Sequence, residues 1–331
     1  MKLLCITDPT THPWYDTTIS LYRTFAKHPG IDFFHAPVSS VDESGAFYGV
    51  AVEGSLSDDA FKQLDEPTLS RLKPSQFDLV FCRADDPVPD RFFENLSLLE
   101  NQVRFVNRPS QIVYTRRKDF LNTYGKTYLP DHIFSNSVAE ISAFFERFAP
   151  IVAKMNVSYG GKGVYKIWRQ DNRILTENVN EGRRDYPSLA NALEHLFSLD
   201  SGNEYEFVRF LKNIDAGDKR VLVVDGEIYG ALLRKATTDS WIHNVTAGAQ
   251  YHPGDITDRE RSVIEQTYHH YHSRGVYTLG YDFLMDDDGE WILSEVNAGN
   301  IGGYDWLEEI TGAPIIERLT SWLMTFAARA E

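Results

Sequence analysis

Gly280-Tyr281-Asp282-Phe283-Leu284-Met285, then Asp286-Asp287-Asp288-Gly289, then Glu290-Trp291-Ile292-Leu293-Ser294-Glu295-Val296-Asn297, reads as two apolar strands joined by an acidic turn. A turn at 286–289 puts position 282 opposite about 293. Residues 293, 295 and 297 share one face by the strand period of two, and that face also carries Asp282. Two carboxylates and an amide oxygen thus converge from neighbouring strands. A solvated acidic hairpin would give the same pattern, but Asp282 interrupts an otherwise apolar strand. An acid in that setting needs a partner or an ion. Hard oxygen donors of this kind suit Mg²⁺, which commonly also holds substrate phosphates.

The chain around this hairpin supplies its context. Arg220–Val224 and Glu227–Arg234 flank Asp225-Gly226, a pair suited to the left-handed conformations of a tight turn, and predict a second hairpin. Helical patterns cover Asp258–His272 and Pro314–Ala328. Upstream, Arg117–Tyr124, Val138–Phe148 and Pro187–Leu199 read as helices, and Ile151–Lys154 and Gly163–Trp168 as strands. Hairpins with separate helices indicate an α+β arrangement. The first third differs. Leu3–Thr7, Asp78–Cys82 and Val103–Val106 are short buried-strand runs, and Asp16 can cap a helix bearing Ile19, Tyr22 and Phe25 on one face. That alternation predicts a parallel α/β layer with ligands beyond the strand C-termini, which singles out the loops Asp8–Tyr15 and Arg83–Pro89. The expected units are therefore 1–112, 113–206 and 207–331.

Composition narrows the function. The 331 residues carry 33 Lys and Arg against 48 Asp and Glu, a formal charge of −15, which argues against nucleic acid and anionic membranes as partners. The two cysteines, Cys5 and Cys82, sit in apolar runs, so a disulfide framework and a cysteine zinc site are excluded and a reducing cytoplasm is expected. The N-terminal apolar run is too short for a signal peptide, and no run approaches the roughly 20 apolar residues of a membrane-spanning helix.

Two further features bear on chemistry. Ser158-Tyr159-Gly160-Gly161-Lys162-Gly163 joins two strands, where glycines permit backbone amides to approach phosphate oxygens. A plain hairpin turn has the same composition, and the strand–glycines–helix context of a P-loop is missing. Lys118, Lys154, Arg220 and Arg234 fall on regular elements and supply the cations a polyphosphate needs. His269, His270 and His272 lack the i, i+4 spacing of a helical zinc pair and read as helix surface.

In this order the pieces resemble the ATP-grasp ligases, and among them the bacterial glutathione synthetases. Asp218-Lys219-Arg220-Val221-Leu222-Val223-Val224-Asp225-Gly226-Glu227 matches that family's Gly-Asp-Lys-Arg-Val-Leu-Val-Val-Asp-Gly-Glu run. Val106-Asn107-Arg108-Pro109 is similar to its Val-Asn-Lys-Pro segment. Gly280-Tyr281-Asp282 and Ser294-Glu295-Val296-Asn297 match its Gly-x-Asp and Thr-Glu-Ile-Asn stretches, and Asn244-Val245-Thr246-Ala247-Gly248 its Asn-Leu-Ala-Ala-Gly segment. The resemblance implies an N-terminal parallel α/β (pre-ATP-grasp) domain, then a two-subdomain ATP-grasp fold with a glycine-rich lid loop.

It also implies an ADP-forming carboxylate–amine ligase working through an acyl phosphate, with γ-glutamylcysteine and glycine as the leading pair. On this resemblance Lys118, Lys154, Ser158, Tyr159, Gly160 and Gly161 bind ATP phosphates, Phe210 and Leu211 line adenine, and Asp218 reaches the ribose. Asp282, Glu295 and Asn297 hold two Mg²⁺ ions, Arg220 and Arg234 act on the transferring phosphoryl group, and Arg83, Asn244, Gly299 and Asn300 meet the substrate. A cytoplasmic homodimer or tetramer acting on small molecules is the accompanying expectation.

Departures gather on the acceptor side. Trp241-Ile242-His243-Asn244 replaces an arginine-containing segment, Arg83-Ala84-Asp85 replaces Arg-Lys-Asp, and Ala298-Gly299-Asn300-Ile301 replaces Val-Thr-Ser-Pro. Ligation of another amino-acid or peptide pair, or ATP binding by a regulatory protein without catalysis, are the alternatives.

Overall fold

The computed structural model describes the chain except residues 13–15, 42, 44–45, 66–67, 86–87, 90, 159–160, 201–203, 237–240, 242–249 and 330–331. Among the described residues the strands form three sheets. The first contains β1 (Lys2–Ile6), β2 (Asp32–Ala36), β3 (Phe47–Ala51), β4 (Ser70–Leu72), β5 (Leu79–Cys82) and β6 (Phe105–Val106), in the order β4-β3-β2-β1-β5-β6. β1 pairs in parallel with β2 and β5, and β5 with β6; β1, β5 and β6 are the apolar runs read as strands, and β2 is an addition to them. β3 and β4 are antiparallel additions that the sequence did not announce, because Phe47–Ala51 includes Gly49 and both strands are short.

Antiparallel pairing builds the second sheet from β7 (His132–Ser135), β8 (Ile151–Met155), β9 (Val164–Gln170), β10 (Arg173–Asn178), β11 (Gly182–Tyr186) and β12 (Tyr205–Arg209), in the order β11-β10-β9-β8-β12-β7. The third holds β13 (Asp218–Val224), β14 (Glu227–Lys235), β15 (Gln250–Gly254), β16 (Thr278–Met285) and β17 (Trp291–Asn297), ordered β15-β14-β13-β16-β17. Asp225 and Gly226, at φ 52° and 82°, make the β13–β14 turn in the left-handed conformations that Asp-Gly tolerates.

One register expectation needs correction. Asp282 lies opposite Glu295, not 293, because the β16–β17 ladder shifts between Asp282 and Phe283 and Phe283 then pairs with Leu293. Ser294 is the additional residue of this bulge. The irregularity brings the two carboxylates directly across from each other.

Packing joins the sheets. The helix Ile315–Ala327 contributes Leu319, Leu323 and Phe326 to a core shared by Leu3 and Phe33 of the first sheet and Leu222 and Leu232 of the third. Helices Val138–Phe148 and Leu189–Leu199 cover the second sheet with Phe145 and Leu196. The helix Lys118–Gly125 places Leu121 in the third sheet's other core, beside Val263 and Ile264 of the helix Asp258–His272. Of the expected units 1–112, 113–206 and 207–331, the boundary at 112 falls inside the helix Pro109–Thr115 and that at 206 inside β12 of the second sheet; we propose three units divided just beyond these elements, with the helix Lys118–Gly125 bridging the second and third. No helix among the described residues is long and apolar enough to cross a membrane.

Asn107, 3 % exposed, ties the end of the first sheet to the metal hairpin expected from sequence. Its amide donates to the carbonyls of Thr278 and Ala298 (both 2.9 Å), and its oxygen accepts from the backbone N–H groups of Tyr277 (2.8 Å) and Thr278 (2.9 Å). Asn107→Ala leaves these backbone groups unsatisfied in a buried place. The expected cost is about 2–4 kcal/mol in urea unfolding, from about 1 kcal/mol per lost bond plus desolvation. A loss below about 0.5 kcal/mol would show that water replaces the side chain.

Candidate active site

β13, β14, β16 and β17 carry the charged residues on adjoining strands. The register sets Arg220 opposite Asp282, Asp218 opposite Arg234, and Asp282 opposite Glu295. Arg220 grips Asp282 through two nitrogens at 2.8 and 2.7 Å, and Arg234 reaches Asp282 Oδ2 at 3.1 Å while also pairing with Asp218. Asn297 donates to Asp282 Oδ2 at 2.9 Å. Burial raises the Asp282 pKa, but Arg220 and Arg234 outweigh it and hold the carboxyl below the usual range. Asp218 goes the other way, pushed up to about 6 by burial, with the attraction of Arg234 opposed by the charge of Asp282.

Both lysines come to the same place. Lys118, 7 % exposed at the start of its helix, lies 3.0 Å from Glu295 Oε1. Lys154 on β8 faces Glu206 across the ladder at 3.7 Å and Ser294 Oγ at 3.4 Å. Beside them opens a cavity of about 390 Å³, whose lining includes Ser158, Asp85, Arg116, Glu295, Asn297, Gly299 and Asn300.

The residues expected to hold Mg²⁺ have a donor set of the right chemistry, two carboxylates and an amide oxygen. Glu295 and Asn297 line the cavity, and Asn297 bonds through its amide nitrogen, which keeps its oxygen for an ion. Asp282 is already engaged by two arginines, so an ion there must displace one of these contacts.

Several expected positions differ. Arg83, expected at the substrate, is 2 % exposed, donating to the Ile301 carbonyl (2.7 Å) and the Thr18 hydroxyl (3.2 Å), which ties loops together. Asp218, expected at the ribose, is held by Arg234. Asn300 donates to Asp85 at 2.6 Å, and its Oδ1 is buried without a partner among the described residues. Phe210 sits under the Lys166 ammonium at 3.9 Å, and Leu211 is buried beside it in sequence. Tyr159, Gly160 and Asn244 lie outside the described residues, as does Trp14. Gly161 has φ 75°, and its carbonyl and that of Lys162 accept from Asn178, which pins the far end of the loop to β10.

Some site residues escaped sequence reading. Lys166 and Glu177 pair across β9 and β10, Glu177 accepts from the Trp241 indole at 3.0 Å, and Trp241 stands edge-on to Phe210. Burial pulls the Lys166 pKa down. Their signal was alternation in β9, where Tyr165 and Ile167 face the core and leave Lys166 on the other face.

A cost of burial is measurable near the same loops. Asp305 accepts from the Thr17 hydroxyl, and burial pushes it up to about 6. Its folded pKa exceeds the unfolded value of about 3.9, so the native state holds the extra proton between pH 4 and 6 and the penalty for the charge is complete only above pH 6. Asp305→Asn is expected to exceed the wild type in stability by on the order of 1–2 kcal/mol at pH 8. The gap should close as pH falls from 6 to 4. A gap independent of pH would place the effect elsewhere.

Three comparisons bear on identity. A family model described as the ATP-grasp domain of prokaryotic glutathione synthetase matches residues 118–311, more than half of the chain. A glutathione synthetase of Parasynechococcus marenigrum (strain WH8102) is 26% identical over 333 residues, covering 97% of this chain and 99% of that protein. One of Agrobacterium fabrum (strain C58 / ATCC 33970) is 25% identical over 293 residues, covering 87% and 84%. A RiPP-associated ATP-grasp ligase of Chryseobacterium gregarium, solved with ADP and a leader and core peptide, has a TM-score of 0.63 at 15% identity over 99% of this chain and 98% of that one, which is a likeness of fold.

Proposed function

Because the chain belongs to the ATP-grasp family of prokaryotic glutathione synthetases, and is thus an ATP-grasp carboxylate–amine ligase, we propose that the third sheet and the cavity beside it form its active centre. The family uses ATP and Mg²⁺ in general. The observation that carries the reading is the pairing of Lys118 with Glu295 and of Arg220 and Arg234 with Asp282, with Lys154 against the neighbouring Ser294, drawn from all of β8, β13, β14, β16, β17 and one helix N-terminus. Lys118 and Lys154 would hold the nucleotide phosphates, and Ser158, Tyr159, Gly160 and Gly161 would cover them. Phe210, Leu211 and Lys166 would bound the base. Asp282, Glu295 and Asn297 would hold Mg²⁺, which when bound neutralises phosphate charge and orients the phosphoryl group.

A substrate carboxylate then attacks the γ-phosphorus, ADP leaves, and the acyl phosphate is displaced by an amine to give an amide and inorganic phosphate. Arg220 and Arg234, released from Asp282 by the incoming ligands, would stabilise the transferring group. Positioning and charge compensation carry such a reaction.

For the substrates we propose γ-glutamylcysteine and glycine first. One observation favours a different pair. γ-Glutamylcysteine brings more than one carboxylate, yet Arg83 is committed to Ile301 and Thr18, and the cavity wall presents Asp85 beside Arg116. ADP release over a matrix of carboxylates and amines, with γ-glutamylcysteine and glycine included, tests both. ADP dependent on both members of one pair is expected. ADP from every pair equally, or with neither member, contradicts the assignment.

A further inference from the structure

Away from the phosphate-binding cations, the loop after β1 and the loop after β5 bring together His12, Asp16 and Asp85, and we infer that these three side chains form a binding site for a divalent transition-metal ion such as Zn²⁺. His12 is 1 % exposed, and its Nδ1 faces Asp16 Oδ2 at 3.4 Å and Asp85 Oδ2 at 3.3 Å. Its Nδ1 makes no hydrogen bond among the described residues.

The other ring nitrogen fixes the tautomer. Thr7 Oγ1 donates its hydrogen to the Arg83 carbonyl at 2.9 Å, so it accepts from His12 Nε2–H. In the neutral ring Nδ1 is then the bare lone pair, pointed at two carboxylate oxygens. Three such acceptors repel unless a cation stands between them; a proton on Nδ1 would serve, but the separations of 3.4 and 3.3 Å exceed those of a charge-assisted N–H···O bond, which favours a metal ion.

Spacing selects the cation. Donors 2.0–2.1 Å from a tetrahedral metal lie about 3.4 Å apart, the separation of His12 Nδ1 from the nearer oxygen of each carboxylate. Three acceptors around an organic ammonium, each about 2.8 Å from the nitrogen, would lie about 4.6 Å apart. The ligand atoms of all three residues fall within 4.8 Å of one another. Imidazole with carboxylates suits zinc and its first-row neighbours better than Mg²⁺.

Each ligand is also braced through its second polar atom. Asp16 Oδ1 accepts from Thr18 N–H at 2.6 Å as a helix cap, Asp85 Oδ1 accepts from Asn300 at 2.6 Å, and His12 Nε2 is held by Thr7. Such outer partners are what orient metal ligands. Arg83 spends its hydrogen bonds on Ile301 and Thr18, and reaches Asp16 and Asp85 only through its charge. Asp85 belongs to both the cluster and the cavity wall, which leaves the fourth coordination position to a water or a donor from the cavity side.

The inference stands independently of the substrates proposed above. Its test is titration of chelator-treated full-length protein with Co²⁺ in excess Mg²⁺. One equivalent should bind with the intense visible absorption of a tetrahedral site and be displaced by Zn²⁺. His12→Ala and Asp85→Asn should each abolish the band, whereas Glu295→Gln, at the proposed Mg²⁺ position, should retain it. If His12→Ala does not fold, Asp85→Asn and a paramagnetically shifted imidazole N–H resonance in the wild type decide. No band in the wild type, or a band that survives both substitutions, overturns the site.

Discussion

Glu295→Gln is expected to reduce the rate of ADP formation on the order of 10³-fold while the protein unfolds within about 1 kcal/mol of the wild type. Gln keeps the shape of the side chain and can still accept from Lys118, whose nitrogen lies 3.0 Å from Glu295 Oε1, so the buried lysine retains a partner. What disappears is the negative charge, which an ion pair with Lys118 can do without but a Mg²⁺ ligand cannot. Steady-state ADP release over a range of Mg²⁺ concentrations separates the two. A rate within tenfold of the wild type at saturating Mg²⁺ would reduce Glu295 to a tether for Lys118.

The second large effect is on stability. Asp282→Leu removes the carboxylate shared by Arg220 and Arg234, whose side chains are 17% and 4% exposed. The unpaired buried charge should cost about 3–5 kcal/mol in urea unfolding, because Arg220 loses its main acceptor and Arg234 the second of its two, keeping only Asp218. Adding Arg220→Met to Asp282→Leu should recover part of that loss, since one orphaned cation goes with its partner. Simple additivity of the two substitutions would show that Arg220 finds water instead. Activity should be lost in every one of these variants.

Much of the fold was legible because its signals are local. Asp-Gly at 225–226 announced a hairpin, and the 3.6-residue pattern gave helices at Val138–Phe148 and Asp258–His272 that the structure places at the same residues. Asp282 declared itself by being charged within an apolar strand, and it is found paired. Long-range information was harder to read. The bulge at Ser294 decides that Asp282 meets Glu295, and no residue there is a glycine that would have marked it. β10 and β11 run through Arg173, Glu177, Arg183 and Arg184, whose outward faces hide the strand pattern. Arg83 was expected at the substrate from the family resemblance, and its bond to the Ile301 carbonyl, 218 positions away, could not be deduced from sequence. Separation in sequence likewise concealed His12 and Asp85 from each other.

The acyl phosphate is the step on which the rest depends. Hydroxylamine supplied in place of the amine, with ATP, Mg²⁺ and each carboxylate in turn, intercepts that species as a hydroxamate. The expected result is a hydroxamate formed in equal amount with ADP from one carboxylate, in wild-type protein and not in Lys154→Ala. ADP formed with no hydroxamate from any carboxylate, or AMP in place of ADP, would contradict phosphoryl transfer to a substrate carboxylate at this site.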